Sequence, residues 1–518
     1  MKKINREARV RTFHQAAWNE PVIFELTAPG ERGILVPDSA GMAEKTGRAD
    51  ALIPEKLRRH TPLALPEVSQ HRVLRHYLRV SQECLGADLN VEIGQGTCTM
   101  KYSPKVNERL ARLPDLAETH PLQPEDTLQG TLQIMYETAE CLKDISGMDY
   151  VSFQPQSGGQ ALMTMSALVR AKVQHDGLWG VKDEIITTQF SHPSAAASAI
   201  VMGFKIRTIG YDDKGYPSLE DLKAAVSERT AGFICANPED TGLYNFRVKE
   251  FTDLIHSVGG VCCYDQANAN GLFGIARARD AGFDMCFFNL HKSFSTPHGC
   301  GGPGTGALCV SAPLKDFMPA PLMAFDGQKY FLDSDLPHSI GKVRQFYGVP
   351  EVVVKTYAWL RNLGPDGLRA VAETAVLNNN YLYSRVMKIK GITSPFDPAS
   401  RRLEQNRYSL EPLFQDTGVD TASVGRRMAD FGFHYWSSHH PFIVPNPATL
   451  EPTESPSKAD IDEYVDTLAY ICEEAYTNPE AVKTAPHNSC VHLNDEAPLD
   501  DPDQWAITWR SYLKKTQG

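Results

Sequence analysis

Between about Asp144 and Gly306 the chain reads as short apolar runs separated by longer stretches of helical periodicity. The runs are DYVSFQP, EIITTQF, KIRTIGY, GFICANP, GGVCCYDQ, FDMCFFNLHK and GALCV. Runs rich in β-branched and aromatic residues predict strands, and their near-continuous apolar character predicts burial on both faces of a mainly parallel sheet. Residues 111–345 are therefore expected to form a large α/β domain of crossover units. After Gln345, PEVVVKTYAWLRNLGPDGLRAVAETAVLNNNYLYSRVMKI predicts a long helical region. Strand-like YSLEPLF and FIVPNP and a helix in ADIDEYVDTLAYICEEAY follow, so residues 346–518 are expected to form a smaller α+β domain. Residues 1–110 alternate proline and charge, which predicts an extended arm with one helix, in LPEVSQHRVLRHYLRVSQECLG, and no core of its own.

Composition narrows the partners. Of the 518 residues, 42% are hydrophobic and 22% charged, and no apolar run approaches the ~20 residues of a membrane span, so a membrane partner is not expected. The basic start MKKINREARVRTFHQ is not followed by an apolar stretch, which leads to the expectation of a cytoplasmic protein. The 11 cysteines include no C-x-x-C pair, so reduced thiols and no metal site are expected. A net charge of -11 argues against a nucleic-acid partner, because phosphate neutralisation needs a clustered basic surface.

Open α/β sheets place ligands at the carboxyl ends of their strands, so the residues after each apolar run carry the candidate chemistry. FDMCFFNL leads into His291 and Lys292 and then into a glycine-rich loop. A lysine at the mouth of a buried sheet loses solvation, which favours the neutral amine that attacks an aldehyde. The alternative is a solvated lysine at a strand end. Asp265, ending the preceding run, suits the pyridine nitrogen of pyridoxal 5'-phosphate (PLP), although aspartate at such a turn also caps helices. Ser157, Gly158 and Gly159, between a strand and a helix, offer N–H groups to a phosphate. His192 could cover the pyridine ring or cap a helix, and Asn237 and Pro238 could border the cofactor or form a turn. Ala267, Asn289 and His291 complete the cofactor-binding candidates.

The segment NLHKSFSTPHGCGGPGTGA resembles the cofactor-lysine segment of the glycine cleavage system P-protein, glycine dehydrogenase (decarboxylating). EPVIFELTAPGERGILVP, GTCTMKYSPKVNERLARLPDLAETHPLQPEDTLQG, DQANANG, FGFH, LEPTES and SKADIDEY resemble the second subunit of the two-chain form of that family. The resemblance covers nearly the whole length. It implies a PLP-dependent transferase of fold type I, with a seven-stranded sheet, PLP as a Schiff base on Lys292, Asp265 at the pyridine nitrogen, His192 over the ring and Ser157–Gly159 near the phosphate. It also implies decarboxylation of glycine, transfer of the aminomethyl group to a lipoylated H-protein, and a homologous first subunit contacted in part by residues 1–110.

Departures from the family pattern cluster away from the cofactor positions. SHPSAA keeps His192 but lacks the following Thr-Asn-Pro, and Cys300 stands where the family has glycine. Val349 and Pro350 replace an asparagine and an aromatic residue, and Tyr435, Trp436 and Ser437 replace Pro-Pro-Thr. His439 and His440 replace an aromatic pair, and Asn406 and Arg407 replace His-Glu. Arg344 and Arg407 are candidates to pair a substrate carboxylate, since guanidinium suits bidentate recognition. Cys98, His298 and His439 are further substrate-side candidates. The alternatives to the glycine reaction are carbanion chemistry on another amino acid without the lipoyl carrier, in a homo-oligomer, and a non-catalytic partner subunit.

Overall fold

The seven apolar runs become seven strands: β1 (Tyr150–Ser152), β2 (Glu184–Thr188), β3 (Lys205–Ile209), β4 (Thr230–Ala236), β5 (Val261–Asp265), β6 (Met285–Asn289) and β7 (Gly306–Val310). The computed structural model describes residues 10–11, 13–86, 93–95, 101–297, 304–434, 443–490, 493, 508–509 and 512–514. The strands form one sheet in the order β1-β7-β6-β5-β4-β2-β3. All neighbours are parallel except β7, which runs antiparallel to both β6 and β1.

Alternation along each central strand feeds two cores. Cys262 and Tyr264 of β5 and Cys286 and Phe288 of β6 join one cluster with α1 (Gln129–Ser146). Val261, Cys263, Met285 and Phe287 point to the other cluster, with α2 (Gly158–His175) and α3 (Pro193–Val201). Both faces exclude water, which is why these strands carry no polar alternation. α4 (Val248–Ser257) and the long α5 (Pro350–Val386) add Phe251, Ile255, Val352 and Trp359 to the first cluster. α5 is broken at Gly364, whose φ of 62° no helix contains, just before Pro365.

The C-terminal part contains β8 (Asn406–Ser409) paired antiparallel with β9 (Pro447–Glu451), which also pairs with the short strand Gly94–Gln95. α6 (Lys458–Thr477) starts with a capping box between Ser457 and Asp460. Two expected strands are corrected. In YSLEPLF only Tyr408 and Ser409 are in β8, and Glu411–Thr417 is a helix. Pro412 has no N–H to lose in the first helical turn, and Glu411 favours that end of the dipole. In FIVPNP, Phe442 lies outside the described residues, residues 443–446 precede β9 and only Pro447 is in it: Asn446 turns the chain at φ 42°, and its side chain bonds Glu411 at 2.7 Å.

The chain divides into two compact units, Met1–Val10 with Val91–Met428 and His434–Lys483, and Arg11–Asn90 with Ala429–Phe433 and Thr484–Gly518. In the second, the helix Gln70–Gln82 is joined by two short helices, Ala40–Thr46 and Ala49–Leu52, where one helix was expected. Their alanine content favours helix without a core to support it. Glu20 binds His76 at 2.9 Å and Arg79 at 3.1 Å, and Phe24 stacks on Trp509. Among the described residues no helix is long and apolar enough to cross a membrane.

Candidate active site

The carboxyl ends of β4, β5 and β6 open on one pocket, lined by Ala236, Pro238, Asp240, Asp265, Ala267 and Lys292 from these strands. Phe190 and His192 enter from the β2 side, and Glu404, Gln405 and Glu451 from the C-terminal part. Lys292 is only 9% exposed. Its backbone N–H donates to Asn289 O at 3.0 Å, a tight turn that brings the lysine back over the strand end. Asp265, the last residue of β5, accepts the Ala267 N–H at 3.0 Å. Burial raises the Asp265 carboxyl above the usual range, while the Ala267 N–H and the Lys292 charge oppose that rise.

His192 is exposed and caps α3: its Nδ1 accepts the Ser194 N–H at 3.1 Å, so the capping role and a place in the pocket wall coincide. Ser157 caps α2, its hydroxyl accepting the Gln160 N–H at 3.3 Å. Gly158 packs where a Cβ would stand 3.0 Å from Asn289 Nδ2. The first N–H groups of α2 therefore sit beside the end of β6 with no intrahelical acceptor. Asn289 is buried, its N–H donates to Ala267 O at 3.2 Å, and its Oδ1 has no hydrogen-bond partner among the described residues.

Lys292, Asp265, Ala267 and His192 thus surround one cavity, with Ser157–Gly159 next to Asn289 at the edge of the sheet. His291 and Arg344 meet elsewhere, around Gly304: Arg344 Nη1 donates to Gly304 O at 3.1 Å, and a Cβ on Gly304 would lie 3.2 Å from His291 Nδ1. Arg407 is 1% exposed and faces Asp240, at 2.7 Å, with Phe190 under its guanidinium. Cys98, His298 and His439, with Cys300 and 435–437 and 440, lie outside the described residues. Asn237 forms a turn, bonding the Asn245 N–H at 2.7 Å and its carbonyl at 3.1 Å, while Pro238 borders the pocket.

The residue-by-residue reading missed three buried acids. Glu239 holds Thr188 and the Tyr211 hydroxyl, and burial pushes its carboxyl up to about 7. Glu404 and Glu451 are each 1% exposed and line the pocket together. The trace they leave is an acid beside a short strand, in RRLEQNRYS and TLEPTES, where neighbouring polar residues disguise their burial. At the amino ends of β5 and β6, His256, Cys262 and Asp284 bring donor atoms within 4.8 Å. There Asp284 accepts from His256 Nε2 and from the Cys262 N–H, both at 2.8 Å.

A lysine and an aspartate at adjacent carboxyl ends of a buried seven-stranded sheet define an enzyme of fold type I, the fold of the aminotransferases. Residues 158–393 match the family model described as aminotransferase class-V, and residues 371–493 match glycine dehydrogenase, C-terminal domain. The chain is 42% identical over 502 residues to the probable glycine dehydrogenase (decarboxylating) subunit 2 of Pyrococcus abyssi, covering 96% of this chain and 98% of that one. The corresponding protein of Caldanaerobacter subterraneus is 40% identical, covering 92% and 96%. The chain belongs to the glycine dehydrogenase (decarboxylating) subunit 2 family. Its fold is similar to a crystal structure of glycine decarboxylase (P-protein) in inhibitor-bound form, with TM-score 0.72, 19% identity and coverage of 85% of this chain and 100% of that one. A sphingosine-1-phosphate lyase from Burkholderia pseudomallei shares the fold more distantly, with TM-score 0.54 and 14% identity over 85% of this chain and 96% of that one.

Proposed function

We propose that the chain is the PLP-carrying subunit of a glycine decarboxylase, which releases the glycine carboxylate as carbon dioxide and passes the aminomethyl group to the lipoyl disulfide of an H-protein. The observation that carries this reading is Lys292, buried and opening on the same pocket as Asp265 and His192 in a chain of this family. The residues fit the cofactor. Lys292 is an amine withdrawn from solvent, and the α2 N-terminus, where Gly158 carries no Cβ beside Asn289, offers N–H groups to a phosphate.

When bound, PLP supplies an electron sink for the pair left on the α carbon. Lys292 would hold its aldehyde carbon. Asp265, whose carboxyl burial raises against the pull of the Ala267 N–H and the Lys292 charge, would keep a proton on the pyridine nitrogen. His192, accepting at Nδ1, carries its ring proton on Nε2 when neutral and would lie against the cofactor plane. Arg407, held by Asp240, stiffens the wall behind the pocket.

The proposed partners are a homologous first subunit and the lipoylated H-protein. Residues 1–110 would make part of the first contact, a role supported by the consecutive Ile34, Leu35 and Val36, which are 72%, 73% and 82% exposed. Exchange of labelled bicarbonate into the glycine carboxylate tests the reaction. Exchange that requires the first subunit, lipoylated H-protein and Lys292 is expected. No exchange with all components present, together with a spectral change on adding a different amino acid, would overturn the glycine assignment.

A further inference from the structure

Glu404 and Glu451 reach the pocket from the loop before β8 and the end of β9, and their neighbours treat them differently. Glu451 is clamped. Asn268 Nδ2 and Asn270 Nδ2 both donate to its Oε1, the latter at 3.0 Å. Asn270 Oδ1 in turn accepts from the buried Lys101 Nζ at 3.0 Å, and Lys101 pairs with Glu454 at 2.9 Å. Ser293, next to Lys292, donates to Asn268 Oδ1 at 3.2 Å, which ties the clamp to the lysine turn.

Glu404 Oε2 is buried and has no hydrogen-bond partner among the described residues. It lies against Gly271, where any Cβ would collide with it. Two side-chain donors thus converge on Glu451, whereas among the described residues Glu404 has only its own backbone N–H and its Oε2 has none. With Glu451 ionised in the lining of the same pocket, a second charge on Glu404 is disfavoured, and the proton stays on the member with fewer donors. Burial, and then the Glu451 charge, hold the Glu404 carboxyl well above the ordinary range. The DQANANG segment therefore serves the pair as a unit: Asn268 and Asn270 hold one acid, and Gly271 leaves room for the other.

The other charged or titratable groups around Glu404 come from several elements. Tyr264 and Asp265 belong to β5, Lys292 follows β6, and His192 starts α3. Glu239 and Asp240 follow β4, the latter paired with Arg407, and the Lys101–Glu454 pair lies behind Asn270. An ionised Glu404 would add a further carboxylate to a wall that already carries Asp240, Asp265 and Glu451.

We propose that Glu404 is a positioning residue of this pocket: with Glu451 clamped as the ionised partner, Glu404 stays a neutral carboxylic acid, which keeps a further negative charge off the wall that the carboxylate of the incoming amino acid meets. No bond to carbon is made or broken by Glu404. The inference rests on the proposed function only in taking an amino acid as the ligand.

Infrared difference spectra of the cofactor-free protein against pH test the proton directly. The wild type is expected to lose a protonated-carboxyl band as pH rises into the alkaline range, and Glu404→Gln to lack that component. Glu239 contributes a band of its own, so the difference between variant and wild type is the readout. Glu451→Gln, whose amide oxygen still accepts from both asparagines, is a second variant, expected to lower the pH at which the Glu404 band disappears. A band unchanged in both variants would overturn the proposal, whether or not the protein carries PLP.

The ligand side is read with the PLP-loaded protein and glycine, from the cofactor spectrum. Above the Glu404 transition the wild-type Kd is expected to rise up to about tenfold per pH unit more steeply than that of Glu404→Gln. Equal slopes would overturn the admitting role, and an infrared difference without any glycine response would locate the failure in the proposed function.

Discussion

Lys292 and Asp265 stand at the ends of neighbouring parallel strands, and their separate environments set what each does. Asp265→Asn keeps the shape and the Ala267 contact but removes the charge that would hold a proton on the pyridine nitrogen. Glycine–bicarbonate exchange by the assembled enzyme is expected to fall by about tenfold to a hundredfold, the worth of losing one charged hydrogen bond, with PLP still bound to the lysine. Unchanged exchange would remove Asp265 from the site. Glu404 gives a second residue-level expectation. Its native carboxyl is raised by burial and by Glu451, so between the ordinary carboxylate range and its native value the folded state holds a proton that the unfolded state has lost. Stability is therefore fullest below the unfolded value and declines as pH rises through the native one. Denaturant titrations from about pH 6 to about pH 9 should show this decline in the wild type and a flatter profile in Glu404→Gln. These residues differ in legibility. Lys292 and Asp265 follow apolar runs that announce strand ends, whereas Glu404 and Glu451 sit among polar neighbours and become buried only when β8 and β9 fold against the DQANANG turn.

At the scale of elements, the sheet was readable because burial on both faces removes polar residues from its strands. All seven runs became strands, and only β3 at the sheet edge, with Lys205, Arg207 and Thr208 exposed, keeps a polar composition. The failures lie where turn chemistry outweighs apolar character, as at Pro412, which starts a helix inside YSLEPLF, and Asn446, which turns the chain before β9. The α6 start was legible in SKADIDEY, and the Ser457–Asp460 capping box is present. Ser457→Ala is expected to cost about 1 kcal/mol in denaturant titration, and loss of less than a few tenths would mean that packing alone fixes this helix. Gly271→Ala is expected to disturb the pocket more than the fold. Its Cβ meets Glu404, so the pH profile should change along with stability.

For the whole molecule, the proposed assembly places chemistry in this chain and part of the contact with a second one on residues 1–110. Leu35→Glu and Val36→Asp alter exposed side chains in the arm, so the isolated chain should unfold at nearly the wild-type denaturant concentration. Sedimentation with the first subunit should show weakened association. Undiminished association would shift the contact elsewhere.

The central claim is that Lys292 carries PLP. Borohydride reduction of the PLP-loaded protein, followed by proteolysis and mass spectrometry, should recover the phosphopyridoxyl group on the peptide containing Lys292 and eliminate the visible absorbance, with Lys292→Ala unlabelled and colourless. Label on another lysine, such as the buried Lys101, or no label on a protein saturated with PLP, would contradict it.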